Sequence, residues 1–127
     1  MKIAIAQQNY HIGNFDHNCE QMLAAIETAR QAQADLIVFS ELSVCGYPPR
    51  DFLEFKDFIA RCQGVIDRLR QAAVGIAVVV GAPTVNPKPE GKDLYNSAYF
   101  LADGEVLHVQ HKTLLPTYYI FYEYLYF

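Results

Sequence analysis

Charged residues are scarce in this sequence of 127 residues, of which they make up only 19%, against about a quarter in an average soluble domain. So few charges predict that part of the surface meets another layer of structure or another subunit. The sequence contains no basic run and its net charge is −4, which argues against a nucleic-acid partner. The length fits one domain.

Long apolar stretches and metal-type cysteine patterns are also missing. No segment reaches the roughly 18 apolar residues of a membrane span, and the opening MKIAIAQQNY turns polar too early for a signal peptide. The three cysteines Cys19, Cys45 and Cys62 are an odd number without zinc-site spacing. We therefore expect no metal, no membrane association, reduced thiols and a cytoplasmic location.

Apolar periodicity predicts strands and helices that alternate along the chain, followed by a hairpin. The predicted strands are Lys2–Gln7, Leu36–Ser40, Ile76–Gly81, Leu94–Leu101 and Glu105–His111. The order indicates an α/β layer fold with a mixed sheet. The second and third strands are continuous apolar runs, which predicts that both of their faces are covered.

The segments between the strands carry helix and turn signals. Apolar stripes at helical spacing run over 15–29, with Asn14 as the N-cap, and over 55–73. The pair Asp103-Gly104 is typical of a hairpin turn. The prolines in the segment 83–91 predict a solvated loop.

Two ionisable residues follow predicted strand ends, where ligands bind in sheets of this class. Glu41 follows the second strand and is either a capping or salt-bridged carboxylate, or a general base held in an apolar wall. Lys112 follows the last strand and is either an exposed lysine or a buried one that stabilises an oxyanion.

Cys45 lies four residues after Glu41 and is a candidate nucleophile, which His108 or His111 would activate. The spacing does not bring these residues together, however, and a small packed thiol is the more common outcome. Cys19 and Cys62 fall on the apolar stripes of the two helices, so we expect both in the core.

The last ten residues, YYIFYEYLYF, include seven aromatic residues and one charged residue, Glu123. The segment is either a buried or interface strand, or an aromatic wall for a substrate with a carboxylate inside it. Because chain termini are usually solvated, we expect the sequence to be a fragment of a longer protein.

The motif FSELSVCGYPPRD, followed by HKTLLPTY and F.E..YF, resembles the nitrilase superfamily of carbon–nitrogen hydrolases. Within that superfamily, KIAIAQQNYHIGNFDHN, VVGAP and LYNSAYFLADGEV are similar to the glutamine amidohydrolase domains of glutamine-dependent NAD synthetases. The resemblance covers essentially the whole chain. It implies the first part of an αββα sandwich, a mixed sheet covered by two helices, with 1–127 as the N-terminal part of the glutaminase domain.

The resemblance also implies the roles of six residues. The implied catalytic residues are Glu41 as general base, Lys112 as oxyanion stabiliser and Glu123 as the residue that orders the site. The implied substrate-binding residues are Tyr47, Tyr118 and Phe121. In this superfamily the nucleophilic cysteine follows later than Phe127, so Cys45 is not that nucleophile and the 127-residue chain alone is expected to be inactive.

The implied parent enzyme hydrolyses glutamine through a thioester and passes ammonia to a synthetase domain that amidates nicotinic acid adenine dinucleotide. ATP and magnesium belong to that absent domain, and no cofactor is implied for this portion. We expect a homo-oligomer, and we expect the isolated chain to associate with itself or with its missing half. The alternatives are a stand-alone nitrilase-type amidase and a non-catalytic interaction module.

Overall fold

The computed structural model describes residues 1–117 and 123–127. They form one five-stranded sheet, two α-helices and two short 3-10 turns. In chain order the elements are β1 (Ile3–Ala6), α1 (Phe15–Gln31), β2 (Leu36–Phe39), a 3-10 turn (Arg50–Glu54), α2 (Lys56–Ala72), β3 (Ala77–Val85), β4 (Leu94–Ala102), β5 (Glu105–His111) and a 3-10 turn (Glu123–Leu125).

The strands lie in the sheet in the same order as in the sequence. Strands β1, β2 and β3 are parallel, with the helices as crossovers, whereas β4 and β5 are antiparallel additions at one edge. Asp103 and Gly104 form the β4–β5 turn with φ angles of 52° and 78°, which a tight hairpin turn requires. The predicted mixed sheet, its two helices and its hairpin are confirmed.

One face of the sheet is buried under α1 and α2. Alternate strand residues point to this face, and they pack against the apolar stripes of the helices. The fully buried side chains include Met22 and Ile26 of α1, Ile66 and Leu69 of α2, and Ile37, Val78, Val80 and Leu101 of the strands. This layer supplies the core of the chain.

The other face of the sheet is open. Ile3 and Ile5 of β1 are 47% and 81% exposed there, and Val38 and Val79 are only half-buried. The described helices thus cover one face of β2 and β3, and the described residues do not supply the cover predicted for the other face. Neither described helix has both the length and the hydropathy needed to cross a bilayer.

Strand β3 is longer than the sequence predicts. It continues through Pro83, which pairs with Asn96 of β4, and ends at Val85. Pro83 and Asn86 are buried, so the predicted solvated loop is wrong at its start, because pairing with β4 overrides the turn signal of the proline. Asn14 does occupy the N-cap position of α1, but its side chain makes no capping hydrogen bond.

Candidate active site

The turn after β2 places Glu41 over the neighbouring strand. Leu42 has a φ of 49°, and the backbone N–H of Val44 donates to the carbonyl of Gly81 in β3 at 3.2 Å. A Cβ atom on Gly81 would lie 2.4 Å from the nitrogen of Leu42. The backbone that carries Glu41 can therefore cross β3 at this distance only because residue 81 is glycine.

Lys112 reaches the same place from the end of β5. Its backbone N–H donates to the carbonyl of Asn96 at 2.8 Å, and its Nζ lies 2.6 Å from Oε1 of Glu41. The two ionisable residues that follow the ends of β2 and β5 therefore meet at one place. Glu41 is therefore salt-bridged, as one of the two alternatives predicted, and its side chain is 45% exposed because this side of the sheet is open.

Glu123, 11 positions after Lys112 in the sequence, completes a cluster of three charged residues. This residue is 7% exposed, and both of its carboxylate oxygens lie 3.2 Å from Nζ of Lys112. The hydroxyl of Tyr47 donates to Oε1 of Glu123 at 3.3 Å. The structure thus brings together four of the six predicted site residues, with one ammonium between two carboxylates.

Asn96 is a further member of the cluster that the sequence analysis missed. Its Nδ2 donates to Oε1 of Glu41 at 2.6 Å and to Oε2 of Glu123 at 3.1 Å. Asparagine is disfavoured within strands, and Asn96 interrupts an otherwise β-rich segment. That interruption is the one local signal of its role, but periodicity alone counts it as an ordinary strand residue.

The carboxylates keep the Lys112 side chain protonated. Partial burial acts to lower the pKa of Lys112, but the hydrogen bonds and negative charges of Glu41 and Glu123 outweigh it, and the net pKa is raised. Burial, reinforced by the charges of Glu123 and Glu41, raises the pKa of Tyr47 to about 12. The site therefore offers a permanent cation, a phenol donor and two carboxylates that can accept protons.

The thiols lie away from this cluster. Cys45 is fully buried, with its Sγ 3.5 Å from the carbonyl of Leu42. Its contact with the Cys62 thiol, together with burial, raises the pKa of Cys62. The packed-thiol interpretation of Cys45 is confirmed, and its pairing with His108 or His111 is wrong.

The same burial holds for the other thiols. Cys19 and Cys62 are also fully buried, as expected for core residues. His111, the second proposed partner of Cys45, has its Nδ1 2.8 Å from the Ser97 hydroxyl oxygen. Within the described parts of the chain, no group of three His, Cys, Asp or Glu residues is placed to hold a metal ion.

A cleft opens beside the cluster, and its lining includes Glu41, Asn96 and Lys112 together with Val79 and Gly81. A small molecule in this cleft would meet the ammonium and a carboxylate together. The remaining two predicted site residues, Tyr118 and Phe121, lie outside the described residues, and their roles stay predictions.

Comparison with known sequences identifies a family and several relatives. The family model for carbon-nitrogen hydrolases matches residues 2–125. A glutamine-dependent NAD(+) synthetase from Xylella fastidiosa is 41% identical over 128 residues, which cover 100% of this chain and 23% of that protein. The enzyme of the same name from Acinetobacter baylyi is 42% identical, with 99% and 23% covered. The chain thus spans about a quarter of the length of these relatives.

Solved structures of related proteins superpose on this chain. A glutamine-dependent NAD+ synthetase from Acinetobacter baumannii, in complex with ADP, superposes with a TM-score of 0.89 at 39% identity, covering 98% of this chain and 23% of that one. An amidase from Nesterenkonia sp. superposes with a TM-score of 0.74 at 24% identity, covering 91% and 44%. The amidase match shows a shared fold only.

Proposed function

Because this chain belongs to the carbon–nitrogen hydrolase family, we propose that it supplies the glutamate and lysine part of a glutamine-hydrolysing site in a glutamine-dependent NAD synthetase. The observation that carries the proposal is the position of Lys112, whose Nζ bridges Glu41 at 2.6 Å and Glu123 at 3.2 Å. Relatives that share about two fifths of the residues carry the synthetase name.

The proposed reaction uses a cysteine from outside these 127 residues. Glu41 takes the proton of that thiol, and the resulting thiolate attacks the side-chain carboxamide carbon of glutamine. Lys112 stabilises the negative charge that develops on the carboxamide oxygen. The C–N bond then breaks, the leaving nitrogen receives the proton held by Glu41, and ammonia leaves a thioester behind.

The second half of the reaction regenerates the enzyme. Glu41 takes a proton from water, and the oxygen attacks the thioester carbon while Lys112 again stabilises the oxyanion. The C–S bond breaks, the thiol regains its proton and glutamate is released. Glu123 holds Lys112 in place during both halves, and Tyr47, Tyr118 and Phe121 are assigned to the substrate pocket.

The fate of the ammonia belongs to the larger protein. We assign it to the amidation of nicotinic acid adenine dinucleotide in an ATP- and magnesium-dependent synthetase domain of the same polypeptide. The parent enzyme is proposed to be a cytoplasmic homo-oligomer.

The test uses the complete reading frame that contains these residues and measures ammonia release from glutamine. Glu41→Gln is expected to lower kcat by about 10²–10⁴-fold, because it removes the general base. Lys112→Met is expected to lower kcat by about 10²–10³-fold, because it removes the oxyanion donor.

The matched controls are Glu20→Gln on α1 and Lys88→Met in the β3–β4 loop, two exposed positions at which the same changes should leave kcat within about twofold. Unchanged turnover in Glu41→Gln, or hydrolysis of simple amides in preference to glutamine, would overturn the proposal.

A further inference from the structure

Asn96 makes more contacts within the charge cluster than a strand residue needs for packing. It is 3% exposed, and the two N–H bonds of its amide are divided between two carboxylates. Its backbone carbonyl accepts the hydrogen bond from the Lys112 backbone N–H at 2.8 Å. One residue therefore contacts all three charged members of the site.

These contacts close a ring of four hydrogen bonds. Oε1 of Glu41 accepts from Nζ of Lys112 and from Nδ2 of Asn96, each at 2.6 Å. Oε2 of Glu123 accepts from the same two nitrogens, at 3.2 Å and 3.1 Å. A carboxylate held by two donors on one oxygen has a fixed rotation about its last side-chain bond.

The fixed rotation determines which carboxylate oxygen of Glu41 can accept a proton. The hydrogen bonds that Glu41 accepts within residues 1–117 and 123–127 all fall on Oε1. Oε2 is left without a donor from those residues, and Glu41 borders the cleft. An oxygen with unoccupied lone pairs is the one that can receive a proton from a nucleophile or from water.

We propose that Asn96 is a positioning residue, whose amide group holds Glu41 and Glu123 on either side of Lys112 and leaves Oε2 of Glu41 as the proton-accepting atom. This inference rests on the proposed function for its chemistry, but the hydrogen-bonded ring that it describes can be tested without turnover.

The first experiment replaces the Asn96 amide, a hydrogen-bond donor, by a carboxylate of the same shape. In the complete enzyme, Asn96→Asp puts a carboxylate oxygen where Nδ2 was, facing Glu41 and Glu123. At about pH 8 we expect kcat for glutamine to fall by about 100-fold, the order of loss for a misplaced catalytic group, with KM within about threefold. At lower pH the loss should shrink, because the introduced carboxyl group, once protonated, donates a hydrogen bond again.

The control is Asn86→Asp, a second buried asparagine, which makes three side-chain hydrogen bonds within the β3–β4 loop. It should lower stability without a pH-dependent loss of kcat. An unchanged kcat in Asn96→Asp, or a loss of equal size at every pH, would overturn the positioning role.

The second experiment follows the lysine in the complete enzyme. The ring should slow exchange of the Lys112 ammonium protons with water. We expect Asn96→Ala to speed that exchange, measured by NMR, at least about tenfold, because Glu41 and Glu123 lose the two hydrogen bonds that hold them against the ammonium. Asn86→Ala should leave it unchanged. Equal exchange rates in wild type and Asn96→Ala contradict the proposal.

If Asn96→Ala does not fold, the same exchange measurement on the wild-type protein tests the ring. The two Asn96 side-chain amide protons should be protected from exchange, and protection no greater than that of the exposed side-chain amide of Gln33 overturns the ring. A wild-type enzyme that releases no ammonia from glutamine, together with protected Asn96 and Lys112 protons, contradicts the proposed function and leaves the ring standing.

Discussion

At the residue scale, the protonation states of the site follow from its geometry. Lys112 is bound by two carboxylates, and its raised pKa keeps it an ammonium ion at neutral pH. In the proposed mechanism, proton transfer is therefore assigned to a carboxylate, and the lysine is assigned the positive charge and the N–H donors that an oxyanion needs.

Tyr47 gives a pH-dependent prediction. Its pKa rises from 10.0 to about 12 in the folded chain, so the folded state keeps a proton that the unfolded state releases above about pH 10. The stability that this phenol contributes is present below about pH 10 and is lost as the pH rises towards 12. The difference in free energy of unfolding between wild type and Tyr47→Phe should therefore shrink from about pH 9 to about pH 12. Urea unfolding at several pH values measures it, and a constant difference contradicts the assignment.

The cysteines give a second prediction at this scale. All three are fully buried, and a buried thiol reacts slowly with an aqueous thiol reagent. Native chain should show no fast-reacting thiol, and the chain in concentrated urea should show three. A fast-reacting Cys45 in the native chain would contradict its packed environment and reopen its candidacy as a nucleophile.

At the scale of elements, the Glu41 turn crosses β3 where residue 81 has no room for a side chain. Gly81→Ala adds a Cβ 2.4 Å from the Leu42 nitrogen, and the backbone must shift to relieve it. We expect a loss of about 1–3 kcal/mol in the free energy of unfolding, as in other overpacked sites, measured by chemical denaturation.

Gly64→Ala is the matched control for this substitution. Gly64 lies in α2 with open space where a Cβ would sit, so this change should stabilise the chain by roughly 0.8–1 kcal/mol through helix propensity. Equal effects of the two substitutions would show that the crossing is not tight.

The elements were predictable where a repeating pattern marks them. The periods of the apolar residues identified all five strands and both helices, because each element must bury one face. The extension of β3 past Pro83 and the role of Asn96 were not predictable from local pattern, since both depend on strand pairing between distant segments. Glu41 and Lys112 were predictable because strand ends are recognisable in the sequence. The contact between Tyr47 and Glu123 spans 76 positions, and no local sequence pattern predicts it.

At the scale of the whole molecule, the open face of the sheet sets the behaviour of the isolated chain. Ile3 and Ile5 are exposed there beside half-buried strand residues, and exposed apolar patches usually mark interfaces or aggregation sites. The unpaired edge of β1 adds hydrogen-bonding groups that can join another strand.

We expect the purified 127-residue chain to self-associate at micromolar concentration, as measured by light scattering. Ile5→Lys should reduce association, because it places a charge on the open face. The control Val74→Lys changes another exposed apolar residue, 57% exposed after α2 and away from that face, and should leave association unchanged. A stable wild-type monomer with cooperative unfolding would show that the chain is self-sufficient.

The hydrogen-bonded ring also has a kinetic consequence. Glu41 is 55 positions from Asn96 and 71 from Lys112, and contacts between such distant positions form late, because the chain must first lose the entropy of closing the loops between them. The helices and the parallel strands can assemble while the ammonium is still far from the carboxylates. The charge cluster can therefore form only after β4, which carries Asn96, and β5, which precedes Lys112, have docked on the parallel strands.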